Sequence, residues 1–384
     1  MKTFRFLTKI RGLTPQEMTA CGDMAWRNLC FWRSFHKFWG NFARKALRLS
    51  ALGGDRLEQS KQVDQGLLIA ANCLKELQAQ GIVSDPTRIT RIQKSTNRPE
   101  RRQVFRIDTP EGAIALKFDR HAMDSDKLHK EFTKMDGLKD TFPADGTLRV
   151  ARPLYIDPRG LFIATQWIDA PTSRGRYQAA LTTDEREAVV HRAGVWLGRL
   201  HATECQGKAT FRLNVLTRKF NRRMERITAR PQGLVDHATL EEIFARVDIA
   251  LAFLHGRRAP AVVAHGDFHG GNLLMTETET FGIDCAWTNR RLAVQDIAQF
   301  LVDMELCPGA DQRGTLESGV SKGNKAAFLA GYGLPIDKPS LTDTIYVFLF
   351  KELTELLKNN NISDPDDISR IKLLEKRLVS RLRR

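Results

Sequence analysis

The stretch "VVAHGDFHGGNLLMTETETFGIDCAW", from Val262 to Trp287, decides how the rest of this 384-residue chain is interpreted. It holds two short apolar runs, the first followed by Asp267 and the second by Asp284, with a glycine-rich turn and Asn272 between them. A core strand seldom ends on a carboxylate, because an unpaired charge is costly to bury. The pattern therefore predicts two short strands that bring three polar side chains together.

These three side chains carry the atoms that phosphoryl transfer requires. Asp267 can accept a proton as a general base, and Asn272, five residues later, can offer an amide oxygen to magnesium. Asp284, at the end of a short strand, can supply the main magnesium carboxylate. The structural alternative is an Asp and an Asn that cap a turn, followed by an Asp at a strand end.

The motifs in this stretch match a known family. "HGDFHGGNLL" followed by "GIDCAW" resembles the HGDxxxxN and hydrophobic-Ile-Asp motifs of the aminoglycoside phosphotransferase and choline kinase-like family, relatives of the protein kinases. The resemblance implies an α+β, bilobal protein kinase-like fold, with a small antiparallel β-sheet N-lobe and a mostly helical C-lobe. It also implies ATP and Mg2+ as cofactors and an alcohol group as the phosphate acceptor.

The resemblance implies roles for individual residues. Asp267 takes the place of the catalytic base, and Asn272 and Asp284 take the places of the magnesium ligands. His269 stands where protein kinases usually carry a lysine, so it is expected either to touch the transferred phosphate or to be a satisfied loop histidine. Asp296, in "VQDIAQFL", matches an aspartate that braces the catalytic loop.

The upstream half contains a candidate ion pair. Lys117 lies inside the predicted strand "AIALKFD", where an unpaired ammonium would be costly to bury. Glu131 follows fourteen residues later on a predicted helix, and it is the only glutamate before the next strand. A strand lysine with a helix glutamate is the kinase pairing that positions the α- and β-phosphates. Surface charges in solvent are the alternative interpretation.

Two further segments are predicted to contact the nucleotide. The strand "LFIATQWID" leads into the hinge between the lobes, where Gln166, Trp167 and Ile168 offer backbone contacts to adenine. The segment "IQKSTNRPERRQVFRI" stands where a glycine-rich loop belongs but has no glycine. Ser95 and Thr96 are therefore predicted to cover the phosphates.

Patterning along the chain predicts four segments. Residues 1–50 form a basic, aromatic-rich N-terminal arm, and residues 51–84 form a leading helical segment. Residues 85–168 read as strand, strand, strand, helix, strand, strand, which predicts the nucleotide-binding N-lobe. The apolar pattern of residues 169–384 is mostly helical, which predicts the C-lobe with the catalytic loop and the substrate site.

Charge is concentrated in the N-terminal arm. The chain has a net charge of +15, and residues 1–50 hold ten Lys and Arg residues against two acidic ones. Aromatic residues recur there every three to four positions, as on one stripe of a helix. This arm is predicted either to make peripheral contact with the inner face of the membrane or to pack on the protein itself. Six scattered cysteines and no apolar run of spanning length predict a cytoplasmic chain.

The acceptor is predicted less sharply than the reaction. A strongly positive chain favours an anionic small molecule or a glycolipid over a polycation. A cationic acceptor would need local acid, which Asp303, Glu305, Asp311 and Glu317 could provide.

Two other function classes compete with the enzyme. The missing glycine-rich loop allows a pseudokinase, a scaffold that binds nucleotide and protein or membrane partners with weak or no turnover. A nucleic-acid partner is not expected, because charge alone suggests it and no nucleic-acid-binding motif accompanies that charge.

Overall fold

The structure is a computed structural model that describes residues 65–84, 86, 88–94, 102–119, 126–203, 207–229, 233–285, 290–307, 315–358, 362–380 and 382. Gln65–Arg384 form one compact unit. The predicted N-terminal arm, residues 51–64 of the leading segment, and the predicted phosphate-covering residues Ser95 and Thr96 lie outside the described residues. The four predicted segment boundaries stay a prediction.

Helices dominate the described residues. Their bounds are α1 Gln65–Ala79, α2 Lys127–Gly137, α3 Ser173–Ala179, α4 Thr183–Thr203, α5 Asn214–Thr228, α6 His237–Leu254, α7 Ala293–Glu305, α8 Lys322–Tyr332, α9 Lys338–Leu357 and α10 Pro365–Val379. The strands are β1 Arg88–Lys94, β2 Arg102–Thr109, β3 Gly112–Asp119, β4 Leu148–Val150, β5 Pro153–Ile156, β6 Phe162–Gln166, β7 Lys208–Thr210, β8 Arg258–Val263, β9 Leu273–Met275, β10 Thr280–Gly282, β11 Arg290–Leu292, β12 Leu316–Glu317 and β13 Val320–Ser321.

The N-lobe is a five-stranded antiparallel sheet in the order β1-β2-β3-β6-β5. Alternate residues of β2 and β3 are buried, as period-two strands require when one face packs on a core. Helix α1 covers that core, with Leu74 and Leu77 among the same buried cluster as Phe105 and Leu116. Helix α1, within the predicted leading segment, therefore contributes to the apolar core of the N-lobe sheet.

The segment "TLRVARPLYID" is two strands, whereas the sequence predicts one. Strand β4 pairs in parallel with β10, and β5 pairs with β6 in the N-lobe sheet. The division falls just before Pro153, which has no N–H to donate to a ladder and sits at the first position of its strand. The consequence is a direct connection from the N-lobe chain to β10, the strand that leads to Asp284.

The C-lobe packs around one large apolar cluster contributed mainly by α4, α6, α7 and α9. The long helix α4 begins with a capping box: Thr182 Oγ1 accepts the Glu185 N–H at 3.2 Å, and Glu185 Oε2 accepts the Thr182 N–H at 3.1 Å. Among the described residues, no helix is long and apolar enough to cross a membrane.

Helices α4 and α8 approach each other unusually closely. A Cβ on Gly194 of α4 would lie 2.2 Å from the Phe328 carbonyl oxygen, and one on Gly331 of α8 would lie 2.1 Å from the His191 carbonyl oxygen. Any larger side chain at these positions would force the helices apart. This contact sets Tyr332 of α8 beside His201 of α4, where the two side chains are joined by a hydrogen bond of 2.9 Å.

Candidate active site

The loop between β8 and β9 carries Asp267 and Asn272, and a buried phenylalanine anchors it. Phe268 is fully buried and stacks on Trp196 of α4, with ring centroids 5.9 Å apart. It also contacts Phe300 of α7 at 5.1 Å. Because the residue between Asp267 and His269 is fixed in the core, its two polar neighbours are held at the surface with little freedom.

Asp296 at the start of α7 fixes the backbone of the same loop. Its carboxylate accepts the N–H groups of His265, at 2.7 Å, and of Gly266, at 3.0 Å. His201 Nε2 lies 3.2 Å from the same carboxylate. Burial raises the pKa of Asp296, but these hydrogen bonds, that of His201 foremost, hold it below its usual range. The expectation that Asp296 braces the loop is confirmed by these contacts.

Asp267 lies at the open side of the loop, with its side chain more than half exposed. Gln299 Nε2 donates to its Oδ1 at 2.9 Å, and Asn272 Nδ2 donates to its backbone carbonyl at 2.9 Å. The Asn272 amide nitrogen is thereby engaged, which leaves its oxygen as the group it can offer to a ligand. The geometry holds Asp267 in place while leaving one carboxylate oxygen open to solvent.

His269 is held by the loop itself. Its Nδ1 accepts the Gly271 N–H at 3.0 Å, and its Nε2 lies 3.8 Å from Asp267 Oδ2. With Nδ1 acting as an acceptor, Nε2 carries the ring proton and points toward the Asp267 carboxylate. Both interpretations of His269 made from the sequence stay open as predictions, because the same ring is satisfied within the loop and adjacent to the candidate base.

Lys117, Glu131 and Asp284 meet in one cluster. Lys117 Nζ donates to both Glu131 oxygens, at 2.8 and 2.9 Å, and to Asp284 Oδ1 at 2.6 Å. Burial by itself lowers the pKa of Lys117, but the Asp284 and Glu131 carboxylates raise it overall, so the ammonium stays charged. The predicted strand–helix pair is formed, and it reaches Asp284 from a part of the chain 167 residues away.

Asp284 follows β10 in a backbone conformation that few residues adopt. Its φ of 61° lies in the left-handed region, which aspartate tolerates better than most side chains. Burial raises the pKa of Asp284, but the Lys117 ammonium lowers it further, to about 2, so the carboxylate is ionised at neutral pH. The Ile283 N–H donates to the Asn272 carbonyl at 3.0 Å, which ties this strand end to the loop.

Glycine at the end of β10 allows the hairpin to reach this position. A Cβ on Gly282 would lie 2.0 Å from the Trp196 ring, so only glycine fits there. Trp196 in turn donates from Nε1 to the Arg149 carbonyl of β4 at 2.8 Å. One tryptophan thus organises β4, β10 and Phe268 around the site.

The predicted hinge lies at the end of β6. The Gln166 N–H donates to the Arg152 carbonyl at 2.8 Å, and the Trp167 N–H donates to the Ala113 carbonyl at 3.2 Å. Of the three residues predicted to offer backbone contacts to adenine, Gln166 and Trp167 therefore have their N–H groups engaged within the protein. In the described part of the chain the Ile168 N–H has no backbone acceptor.

Arg174, Gln299 and Asp303 also border the loop, and the sequence interpretation did not assign them there. Asp303 accepts the Gly270 N–H at 2.8 Å and pairs with Arg174 of the short, unpredicted helix α3. The Arg174 N–H donates to the Gly270 carbonyl at 3.1 Å. The sequence does contain a pattern that predicts the positions of Gln299 and Asp303. They follow Asp296 by three and seven residues on a mostly apolar helix, and this spacing places all three on one face of the helix.

The acidic residues considered for a cationic acceptor are neutralised within the protein. Asp303 pairs with Arg174, Glu305 with Arg377 at 2.9 Å, and Glu317 with Lys325 at 2.6 Å. Asp311 lies outside the described residues. These three carboxylates are paired within the protein, so each has a cation beside it before any acceptor binds. The expectation that they line a cation pocket stays a prediction.

The donor atoms near Asp284 fit a magnesium ion. They comprise an ionised carboxylate and the amide oxygen of Asn272, the sparse set of hard oxygen ligands with which magnesium keeps water and substrate phosphates. Among the described residues, no group of three or more His, Cys, Asp or Glu side chains forms an all-protein metal cage. The donor set therefore fits an ion completed by a nucleotide.

Comparisons with solved structures give the same fold. An amicoumacin kinase in complex with AMP-PNP and Ca2+ superposes with a TM-score of 0.54 at 13% identity, covering 83% of this chain and 96% of that one. A choline/ethanolamine kinase family protein from Mesorhizobium loti gives 0.51 at 15%, covering 82% and 99%. A spectinomycin phosphotransferase with ADP and spectinomycin gives 0.52 at 14%, covering 81% and 98%.

These similarities establish the protein kinase-like, α+β bilobal fold that the sequence predicts. The comparison with curated proteins found no match. Residues 98–333, well over half of the sequence, match the phosphotransferase enzyme family. That segment includes Lys117, the loop that carries Asp267 and Asn272, and Asp284. Because the match covers more than half of the chain, the chain belongs to the phosphotransferase enzyme family.

Proposed function

We propose that this protein is an ATP- and magnesium-dependent phosphotransferase that moves the γ-phosphate of ATP to a hydroxyl group of a small molecule, with Asp267 as the general base. The observation that carries the proposal is the Lys117 ammonium shared between Glu131 and Asp284. Family membership supports phosphotransfer to a small molecule in general. The cofactor, the metal and the roles of single residues are the parts we add.

In this proposal Lys117 contacts the nucleotide phosphates. Glu131, almost fully buried, holds the ammonium at the end of β3 and limits its rotation. Because the two Glu131 oxygens take up two of its three protons, the third is directed toward Asp284, on the side where phosphates would bind. The Ile168 N–H donates to adenine at the hinge, and Ser95 and Thr96 cover the phosphates.

Asp284 and Asn272 would hold the magnesium ion. When bound, magnesium neutralises charge on the β- and γ-phosphates and keeps them oriented for transfer. The backbone hydrogen bond from the Ile283 N–H to the Asn272 carbonyl ties together the two segments that carry these side chains. The Asn272 amide is held by the Asp267 carbonyl and the Asp284 carboxylate by Lys117, so both side chains are oriented by contacts within the protein.

Asp267 takes the proton of the acceptor hydroxyl. The hydroxyl oxygen forms a bond to the γ-phosphorus, the bond from that phosphorus to the β–γ bridging oxygen breaks, and the proton passes to Asp267. Gln299 keeps one carboxylate oxygen oriented and leaves the other for the acceptor. His269 Nε2–H lies on the same side and can donate to the transferred phosphate.

The acceptor we propose is neutral or anionic. Three of the acidic residues that could attract a polycation are paired with internal cations, and the net charge of +15 repels polycations at long range. A phosphorylated sugar or a glycolipid fits this charge. Contact of residues 1–50 with the membrane remains a prediction beyond the described residues.

The test is an Asp267→Asn substitution in an ADP-release assay across sugars, sugar phosphates, amino alcohols, aminoglycosides and glycolipid fragments. We expect the variant to lose a factor of about 10² to 10⁴ in kcat on the active acceptor, the range that a general base contributes. Mg-dependent ADP binding should be unchanged. The matched control is Asp136→Asn, an exposed aspartate on α2 that pairs with Lys139, and it should keep full activity.

Near-normal turnover by Asp267→Asn would remove the base assignment. Tight Mg·ATP binding without ATP consumption on any acceptor would instead favour the scaffold alternative.

A further inference from the structure

Helix α5 carries a ladder of arginines that the proposed reaction does not use. Arg218, Arg222 and Arg226 follow one another at intervals of four residues, so their side chains lie along one stripe of the helix. Lys219 and Arg223 form a parallel row beside it. The buried Phe220 and Met224 of α5 lie on the opposite face, which leaves the stripe of Arg218, Arg222 and Arg226 directed away from the core.

This face of α5 forms one side of a cavity of about 720 Å³. Lys358, just beyond the end of α9, adds a cation from a different part of the chain, and Val215 and Ile227 supply apolar wall. Six of the eight residues that line the cavity are therefore cationic: Arg218, Lys219, Arg222, Arg223, Arg226 and Lys358. A concave site of this volume is in the size range of small-ligand pockets.

The protein compensates only part of this charge. Glu355 is the carboxylate beside the cavity, and it pairs with Arg223, with Lys358 at 2.6 Å and with Lys219 at 3.7 Å. Within the part of the chain that the structure describes, Arg222 and Arg226 have no carboxylate partner. One carboxylate among six cations leaves a strong positive potential in a concave site.

Helix α10 shows what an ordinary charged helix face looks like in the same protein. Its cations alternate with acidic residues, and Arg370 lies 4.0 Å from Asp367 one turn earlier. The α5 stripe has like charges at both i−4 and i+4 of Arg222, an arrangement that destabilises a helix, and the one acidic residue of α5 is Glu225, three residues after Arg222. Burial and then the neighbouring Arg223 lower the pKa of Lys219, which reflects the same crowding.

Part of the site is already held in position. Arg223 is only 12% exposed, and it donates to Thr354 Oγ1 at 3.2 Å as well as to Glu355. Its guanidinium therefore loses little freedom when a ligand binds. Arg218 has a hydrogen bond from its Nε to the Asn214 carbonyl of its own helix, at 3.3 Å, which leaves the other guanidinium N–H groups to the cavity.

We propose that this cavity binds a ligand carrying more than one phosphate group, as a free small molecule or as the headgroup of a lipid. Arginine forks match phosphate oxygens in a two-point geometry, and the i, i+4 spacing places successive guanidinium groups to bind successive phosphates. None of the eight lining residues is aromatic, so the cavity lacks the stacking surfaces that single-stranded nucleic acid uses. The site does not depend on the proposed function, since its lining residues include none of the catalytic loop or the Lys117 cluster.

The experiment titrates the full-length chain with inorganic tripolyphosphate by calorimetry, without divalent cations. The test variant is Arg218→Gln/Arg222→Gln/Arg226→Gln. The control variant, Lys139→Gln/Lys372→Gln/Lys376→Gln, removes the same number of positive charges from exposed lysines that do not line the cavity. Each exposed charge contributes roughly two- to fivefold to affinity, so the arginine variant should bind about tenfold to a hundredfold more weakly. The control should stay within a few-fold of wild type.

Two further arms identify the source of the phosphate. Vesicles of phosphatidylcholine with phosphatidylinositol bisphosphate, compared with phosphatidylcholine alone, report a lipid headgroup. Cavity-dependent binding of tripolyphosphate, of these vesicles, or of both supports the proposal. Equal binding by the arginine variant and the control in both arms overturns it. A single-stranded oligonucleotide that binds more tightly than tripolyphosphate and depends on the same arginines also overturns it, in favour of nucleic acid.

A folding defect cannot imitate the expected result. Removing like charges from α5 relieves repulsion, so the unliganded arginine variant should melt at the wild-type temperature or above it. Its Mg-dependent ADP binding should also equal that of wild type. A variant that melts lower and loses both ligands would contradict the separation between the two sites.

Discussion

The Lys117 cluster and the α5 cavity are opposite in charge and in the way that the charge is compensated. In the first, one ammonium lies between two carboxylates, all within 2.9 Å. In the second, one carboxylate faces six cations. The cluster is satisfied by the fold, while the cavity keeps an excess of positive charge that the ion pairs with Glu355 do not neutralise.

The difference follows from where the residues come from. Lys117 lies on β3, Glu131 on α2 and Asp284 in the segment after β10, so their contacts exist only when these distant parts of the chain have folded together. Five of the six cations of the cavity lie on one helix, and their repulsion is present even in an isolated helix. A buried ion cluster therefore depends on long-range folding, whereas a surface charge ladder can be read from local sequence.

The largest expected effect comes from removing the ammonium of the cluster. Lys117→Met leaves Glu131, which is 2% exposed, without its cation. The free energy of unfolding should fall by about 3–5 kcal/mol, as for other broken buried ion pairs. Urea denaturation measures it, and the double variant Lys117→Met/Glu131→Gln should recover much of the loss. A loss below about 1 kcal/mol in the single variant would mean that the cluster does not stabilise the fold.

The second-largest expected effect concerns His265, a buried histidine whose backbone N–H is held by Asp296. Burial lowers its pKa to about 4, outweighing the nearby carboxylates, of which Asp296 is the foremost. Between pH 6.5 and 4 the unfolded chain binds a proton at this histidine that the folded chain does not, so stability falls as the pH falls. The loss amounts to about 1.4 kcal/mol per pH unit, or about 3 kcal/mol across the window.

Denaturation of wild type and His265→Asn at several pH values measures this slope. The variant should lose less stability than wild type between pH 6.5 and 4, and parallel curves would contradict the prediction.

The third effect tests whether the cluster accepts a metal and a nucleotide. At a hundredfold excess over its Kd, Mg·AMP-PNP should stabilise wild type by about 2.7 kcal/mol. Asp284→Asn should remove the magnesium-dependent part of this gain, because the ionised oxygen is gone while Lys117 keeps Glu131 as a partner. Thermal unfolding with magnesium and with EDTA measures the difference. An unchanged magnesium effect would show that the ion binds elsewhere.

The smallest effect concerns the cavity and has the opposite sign. Arg222→Gln removes the like charges at i−4 and i+4 on α5 together with one opposite-charge neighbour, Glu225 at i+3, so it should raise the free energy of unfolding by about 0.3 kcal/mol. Arg370→Gln on α10 removes an attractive contact with Asp367 and should lower it by a similar or smaller amount. Both differences should vanish in 1 M salt, where exposed charges are screened. If the free energy of unfolding changed in the same direction in both variants, the charge repulsion on α5 and the charge attraction on α10 would not differ as proposed.

Much of the fold could be predicted because its signals are local. The order of strands and helices in the N-lobe followed from period-two patterns and turn residues, and β1, β2, β3 and α2 form where the patterns placed them. The division between β4 and β5 could not be predicted, because the choice of sheet depends on β10, which lies over a hundred residues later. Helix α3 was missed because seven residues give little periodicity.

The residues of the candidate site also fall into two groups, those that a local pattern indicates and those defined by contacts with distant parts of the chain. Asp267, Asn272 and Asp284 were found because one short stretch holds them all at fixed spacing. Arg174 was missed because its role comes from its contact with Asp303, 129 residues away. Gln299 and Asp303 could have been found from their spacing to Asp296 on one helix face.

The sequence by itself determined which chemical groups are present and which of them are neighbours along the chain: the catalytic loop, the strand lysine, the helix glutamate and the arginine ladder. Only the tertiary structure decided which of these groups meet. The close approach of α4 and α8 through Gly194 and Gly331, and the packing of Gly282 on Trp196, place the loop and the strand end together. The physical reason is that close packing depends on the shapes of distant surfaces, which no local pattern records.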